Sequence, residues 1–174
     1  MIRWIALAIL FAVVAAGSHM ATLSYAPRVI MATAMDRLAA NGVPLHAFAV
    51  NERMTPQTQT VVRPSPDLAY SLCRFDLETI PDGLRVKMAA TPDYASLSFF
   101  DADTHNFLTM RGDSKAREVL LLPPGSKRAP VDPPELVMVA PTAGGVVLIR
   151  RLAPDRKTFD AVRAMADDDF CKPA

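Results

Sequence analysis

Catalytic letters are scarce in this chain. In 174 residues there are two cysteines, three histidines, one tryptophan and seven glycines. No G-x-S-x-G elbow, H-E-x-x-H helix or C-x-x-C pair occurs, and PPGSK (residues 123–127) lacks the first glycine of a phosphate-cradling loop. The usual hydrolase, zinc-protease, redox and nucleotide signatures are therefore missing, and we expect no cofactor and no metal. A net charge of +1, with no basic stripe interleaved with aromatics, gives no reason to expect nucleic acid as a partner. One histidine, His19, lies in an apolar segment, so any acid–base chemistry would fall to His46, His105 and the carboxylates.

Charge is also missing locally. From Trp4 to Pro27 the stretch WIALAILFAVVAAGSHMATLSYAP holds no Asp, Glu, Lys or Arg. As a helix rising 1.5 Å per residue it could cross a hydrocarbon core of roughly 30 Å. A cleaved signal peptide would use Arg3, an apolar core and VAA before the cut. An uncleaved anchor accounts better for the apolar residues that resume at Met20, Leu23, Tyr25 and Ala26, and a buried helix of a soluble fold suits so long an uncharged run poorly. GSHM resembles a tag scar, but its place inside this segment makes it a chance match. Arg3 and Arg28 flank opposite ends, so the positive-inside rule barely discriminates orientation.

What the chain does have is apolar residues, 51% of the total, and fifteen prolines, which suggest many loops and strand ends. After Pro27, Ile30 or Met31, Ala34, Met35 and Leu38 recur at helical spacing, and Gly42 is a natural stop. From Val61 onward the period becomes two. Ala69, Ser71, Cys73 and Phe75 alternate with Leu68, Tyr70 and Leu72; in GLRVKMAA, Leu84, Val86 and Met88 point inward and Arg85 and Lys87 outward. YASLSFF and NFLTM flank the turn DADTH, and EVLLL follows. ELVMVAP and GGVVLIRRL read as a β-hairpin turning at Gly144–Gly145. The C-terminal PDRKTFDAVRAMADDDF places Phe159, Val162 and Met165 on one side of a short helix starting near Asp155. The expected fold is mainly β (α+β): an N-terminal transmembrane helix, then an antiparallel β-sandwich-like domain with a short C-terminal helix. The expected division is residues 1–42 as anchor and its extension, and 43–174 as the β-rich domain.

Three features carry candidate chemistry. In DADTH, an extended backbone would point Asp101, Asp103 and His105 the same way, as a cation site requires. Turn chemistry explains the same letters without a metal, and that reading is preferred. In VVRPSPD, Pro64 and Pro66 stiffen the chain and present Arg63 and Asp67 at a strand entrance as one polar unit. A guanidinium held so suits a carboxylate or carbonyl partner, or an anionic ligand. Cys73 lies in a strand and Cys171 near the C-terminus. A bridge would pin the terminus to the sheet in an oxidising compartment; the alternative is two unpaired thiols.

The same residues carry a resemblance. TPQTQTVVRPSPDLAYSLCRFDL followed by YASLSFFDADTHNF resembles domain-of-unknown-function family 1254, whose members read T-P, V-V-R-P-N-x-D-T-x-Y-S, D-L, then Y-Y-S-L-x-x-x-D-x-x-T-N-N-F. Thr55, Pro56, Val61, Val62, Arg63, Pro64, Asp67, Tyr70, Ser71, Asp76, Leu77, Tyr94, Ser96, Leu97, Asp101, Thr104, Asn106 and Phe107 match, over roughly residues 50 to 152. Ser65 and His105 stand where asparagines are usual, and Ala69 departs near the usual Thr. The resemblance implies a β-sandwich-like fold without an established reaction. Larger relatives add a 1214-family domain, and short versions resemble membrane-anchored bacterial proteins with a separate companion.

Two functional expectations follow. One is a binding or accessory subunit, single-pass in the bacterial inner membrane with its domain in the periplasm, whose partners are the lipid bilayer and a protein, possibly a 1214-family companion. The other is an enzyme or small-ligand binder that gathers Arg63, Asp67, Tyr70, Asp101 and His105 at one mouth of the sandwich.

Overall fold

The computed structural model describes residues 2–55, 64–127, 134 and 136–174. The uncharged N-terminal run continues into the helical pattern behind it as one helix, α1, Ile2–Ala40, with Pro27 inside it. It is long and apolar enough to cross a membrane, and such a helix is a membrane anchor or a signal sequence. Its large apolar side chains from Ile2 through Ile30 are exposed, and Met31 is its one buried residue. Ala34, Met35 and Leu38 are half-buried on the same helical face. Gly42, at φ +81°, ends the helix: its left-handed conformation lets Val43 N–H reach the Leu38 carbonyl at 2.9 Å.

Beyond α1 the chain folds as two packed sheets. The strands are β1 (Ala49–Val50), β2 (Leu68–Asp76), β3 (Leu84–Met88), β4 (Ala95–Asp101), β5 (Asn106–Arg111), β6 (Arg117–Leu122), β7 (Leu136–Val139), β8 (Gly144–Leu152) and β9 (Phe170–Pro173), with helix α2 (Arg156–Met165) before β9. The larger sheet runs β1-β2-β8-β4-β5 and is antiparallel throughout. The smaller runs β7-β6-β3-β9 and is antiparallel except for the parallel pair β6–β7.

Period-two alternation builds the core. Cys73, Phe75, Leu97, Phe99, Val147 and Ile149 from the larger sheet meet Leu84, Val86, Met88, Val119 and Leu121 from the smaller, all buried. The alternation read in β3 is the one observed, with Arg85 and Lys87 half-exposed on its outer face. Cys73 of β2 and Cys171 of β9 form a disulfide across the two sheets, with Cα atoms 6.5 Å apart. A second tie lies nearby. Arg151 of β8, on the core face, makes a bidentate pair with Asp169 (2.7 Å for both bonds), and the Asp169 Oδ1 also accepts from Ala89 N–H. Both side chains are essentially sealed, at 2% and 0% exposure.

One sequence expectation is corrected here. ELVMVAP and GGVVLIRRL are not a hairpin: β7 pairs in parallel with β6, while β8 crosses to the centre of the larger sheet between β2 and β4. Ala140 N–H bonds the Leu122 carbonyl and Leu77 N–H bonds that of Ala143, so the residues between them change sheets rather than turn back. Gly145 is required for a different reason: a Cβ there would overlap the Phe100 carbonyl oxygen and the Phe75 ring. The expected short C-terminal helix is present as α2, and a further strand, β9, follows it on the edge of β3.

Candidate functional site

The outer face of the larger sheet is where polar side chains collect. The last turns of α1 cross one end of it. Arg28 bonds Asp103 in the β4–β5 turn (Nε to Oδ1, 2.6 Å), the helix packs against β8, and Arg74 of β2 donates to the Val43 carbonyl just past the helix (2.8 Å). The connector then places His46, whose Nε2 lies 3.1 Å from both the N and the O of Asp76, before joining β2 through β1. Among the described residues, the other end of this face carries side chains of the strands themselves, with Ser65 beside Tyr70.

There the register aligns one row. Tyr70 of β2 stands opposite Arg150 of β8, Arg150 opposite Ser96 of β4, and Ser96 opposite Arg111 of β5. Directly opposed residues share a face, with Cβ atoms about 5 Å apart. Among the described residues, two atoms of the row are buried without a partner, the Ser96 hydroxyl and the Arg150 Nε. Ser98, two residues further along β4, solves the same problem by a 3.0 Å bond to Thr109 on β5. Ser96 faces an arginine instead of a hydroxyl, and its oxygen stays unsatisfied at 4% exposure. A buried polar group without a bond costs free energy, so such a pair needs an explanation.

The residues singled out in the sequence divide between the two ends. At one end, Ser65 N–H donates to the Tyr70 phenol oxygen (2.9 Å), and the Ser65 carbonyl accepts weakly from Leu68 N–H (3.4 Å) across a turn containing Pro66 and Asp67. Pro66 pre-sets that turn. The Asp67 side chain is exposed, its N–H bonds the Ser65 hydroxyl (3.3 Å) and its carbonyl accepts from Ala153 (2.7 Å). Arg63, and with it the proposed Arg63–Asp67 unit, lies outside the described residues.

Asp101 and His105 sit at the opposite end. Asp101 pairs with Gly145 and Tyr70 with Arg150, five residues apart on β8, or roughly 17 Å at strand spacing. The five candidates therefore do not meet at one mouth. Nor do Asp101, Asp103 and His105 project together, because residues 102–104 turn and Thr104 takes φ +67°. Asp101 is buried, and its Oδ1 accepts from the N–H groups of Asp103 (2.9 Å) and His105 (2.8 Å). Its Oδ2 lies 3.3 Å from Nδ1 of His105, an otherwise exposed ring. Asp103 turns away to Arg28. The carboxylate thus organises its own turn, and Thr142 completes it by accepting from Ala102 N–H and donating to the Gly144 carbonyl.

Sequence reasoning placed Tyr70 in the candidate site, met Ser96 only as a position matching the family pattern, and did not single out Arg150. Both stand in ordinary strand positions, where the local signal was polarity at alternate places in otherwise apolar runs.

The fold has counterparts among solved structures. The VPA0106 protein from Vibrio parahaemolyticus superposes with a TM-score of 0.67 at 10% identity, covering 86% of this chain. A putative uncharacterized protein from Burkholderia cenocepacia superposes at 0.45 and 16% identity over 80% of the chain. The first likeness is one of fold. The chain spans only 35% and 39% of the lengths of those two proteins. No curated protein is matched. Residues 46–173 match the family described as "Protein of unknown function (DUF1254)", so the chain belongs to the DUF1254 family.

Proposed function

We propose that the protein is a membrane-anchored binding or accessory subunit, with residues 1–42 as anchor and extension and 43–174 as a β-rich domain held in the bacterial periplasm. One observation carries the reading. The helix α1 changes character without a break, from an uncharged, fully exposed apolar run to turns that lie on the larger sheet. A flexible tether would leave the domain free to tumble, whereas a continuous helix docked by Met31 and clamped by Arg28–Asp103 fixes one face of it relative to the bilayer. A fixed face suits docking to a neighbour in the membrane. The inter-sheet disulfide supports an oxidising compartment. The partner would be a membrane or periplasmic protein, for which a 1214-family companion is the first candidate.

The test has two parts. A cysteine placed at exposed Ser114 should react with a membrane-impermeant thiol reagent while the inner membrane is intact, and protection until lysis would put the domain on the other side. Purified in mild detergent, the protein should carry a stoichiometric membrane protein. A monodisperse, partner-free preparation would overturn the accessory role.

A further inference from the structure

We propose that the row Tyr70–Arg150–Ser96 binds the carboxylate of a small organic acid that carries an apolar body. This site is separate from the anchoring role and would stand if that role failed.

The argument begins with unsatisfied donors. Among the described residues the Arg150 side chain makes no hydrogen bond and no ion pair, and its Nε is sealed from solvent. Ser96, its direct neighbour on β4, keeps a buried hydroxyl with no partner. On the other side, the Tyr70 phenol oxygen is occupied as an acceptor by Ser65 N–H, which leaves the phenol proton free to donate outward. A guanidinium flanked by two hydroxyl donors in a straight row is therefore a site rich in donors and poor in acceptors. Guanidinium and carboxylate match as a fork, two N–H groups to two oxygens, and the flanking hydroxyls can take the remaining lone pairs. A cation would be repelled by Arg150.

The surroundings choose among anions. The next row on the same face holds Leu72 of β2 opposite Leu148 of β8, both half-buried, and then Ser98, whose hydroxyl is already spent on Thr109. An acid lying along the strands would set its charged head on Arg150 and its apolar body over Leu72 and Leu148. Phosphate asks for more: a dianion suits several cations, and the row offers one half-buried guanidinium, with Arg111 exposed at its far edge. A few polar groups fixing one end of an apolar slot is how small-molecule sites are commonly built.

The experiment uses the full chain in nanodiscs, with hexanoate as probe and hexanamide and inorganic phosphate as comparisons. Hexanoate at about ten times its Kd should raise the unfolding midpoint of the β-domain by roughly 4–6 °C. Hexanamide, of the same shape without the charge, should give no shift. Arg150→Met keeps the apolar stem and should abolish the response, and Arg150→Lys should weaken it because the fork is lost. Ser96→Ala removes a hydroxyl that bonds nothing in the free protein. Its unliganded midpoint should stay level or rise, while hexanoate affinity falls about tenfold. That variant keeps the test sound even if the arginine variants fail to fold. The proposal is overturned by no response to hexanoate, by an equal response to hexanamide, by a response to phosphate alone, or by a hexanoate shift that survives Ser96→Ala at full size.

Discussion

Consider the protein with the Cys73–Cys171 bond opened. The two cysteines are 98 residues apart, and their bond ties the strand next to the centre of one sheet to the edge strand of the other. Closing a loop of that length removes about 16 cal/mol/K from the unfolded chain, or about 4.7 kcal/mol at 25 °C in the chain-entropy account. Residual structure in the reduced chain lowers the realised gain to about 3–4 kcal/mol. For a domain of this size each kcal/mol moves Tm by about 3–4 °C, so reduction should cost about 10–15 °C. Both sulfurs are buried, Cys73 completely, so reductant added to the native protein will act slowly. The bond should be reduced in denaturant and the protein refolded with thiols kept reduced. The lone tryptophan, Trp4, sits in α1 and reports nothing on the sandwich; far-UV circular dichroism near 218 nm is the better probe. Two reactive thiols in unreduced, denatured protein, or an unchanged midpoint after reduction, would refute the reasoning.

Three further outcomes are expected. Asp169→Ala strands the sealed Arg151 guanidinium without its counter-ion and should cost about 3–5 kcal/mol in denaturant unfolding, while a paired Arg151→Met, Asp169→Leu variant should recover much of it. Gly145→Ala drives a methyl into the Phe100 carbonyl and the Phe75 ring and should destabilise by about 3 kcal/mol or more, whereas Gly144→Ala, where the Phe75 carbonyl oxygen would lie 3.9 Å from the new methyl, should be tolerated. Asp155 caps α2 by accepting from Thr158 N–H, and that bond holds its pKa below the usual carboxylate value. A depressed folded pKa means the cap's contribution is complete above the unfolded pKa of about 3.9 and is lost as pH falls through the lower folded value. Protection of the α2 amides relative to their intrinsic exchange rates should therefore fall below about pH 4, and should be low at neutral pH in Asp155→Ala; equal protection in the variant would dismiss the cap.

Much of the fold could be read because it rests on local periodicity. Leu84, Val86 and Met88 alternate with Arg85 and Lys87, and one inward face follows from that alone. The start of α2 was legible because Asp155 is a favoured N-cap residue, and in the fold its side chain accepts from Thr158 N–H. The reading failed where two distant strands decide a residue's meaning. Gly144–Gly145 looks like a turn, since glycine pairs commonly make turns. Its actual constraint at Gly145 is the Phe75 ring, about seventy residues earlier and invisible to any local rule. The strand β9 is too short to announce itself, and it is ordered by β3 and a disulfide rather than by its own pattern.

The candidate site fails to show in the sequence for the same reason, in sharper form. Asp101 and His105 attract attention because they are close in sequence, yet closeness in a turn means the backbone N–H groups are close too, and those claim the carboxylate. Arg150 and Ser96 are far apart in sequence, and neither stands out within its own strand as a binding residue. Only the β4–β8 register sets them side by side, and only the choice of Arg111 over a hydroxyl opposite Ser96 leaves that oxygen without a partner. A cluster compact in sequence tends to satisfy itself locally. Groups brought together by strand pairing have no such local outlet, so an unsatisfied pair among them is the stronger pointer to something that binds.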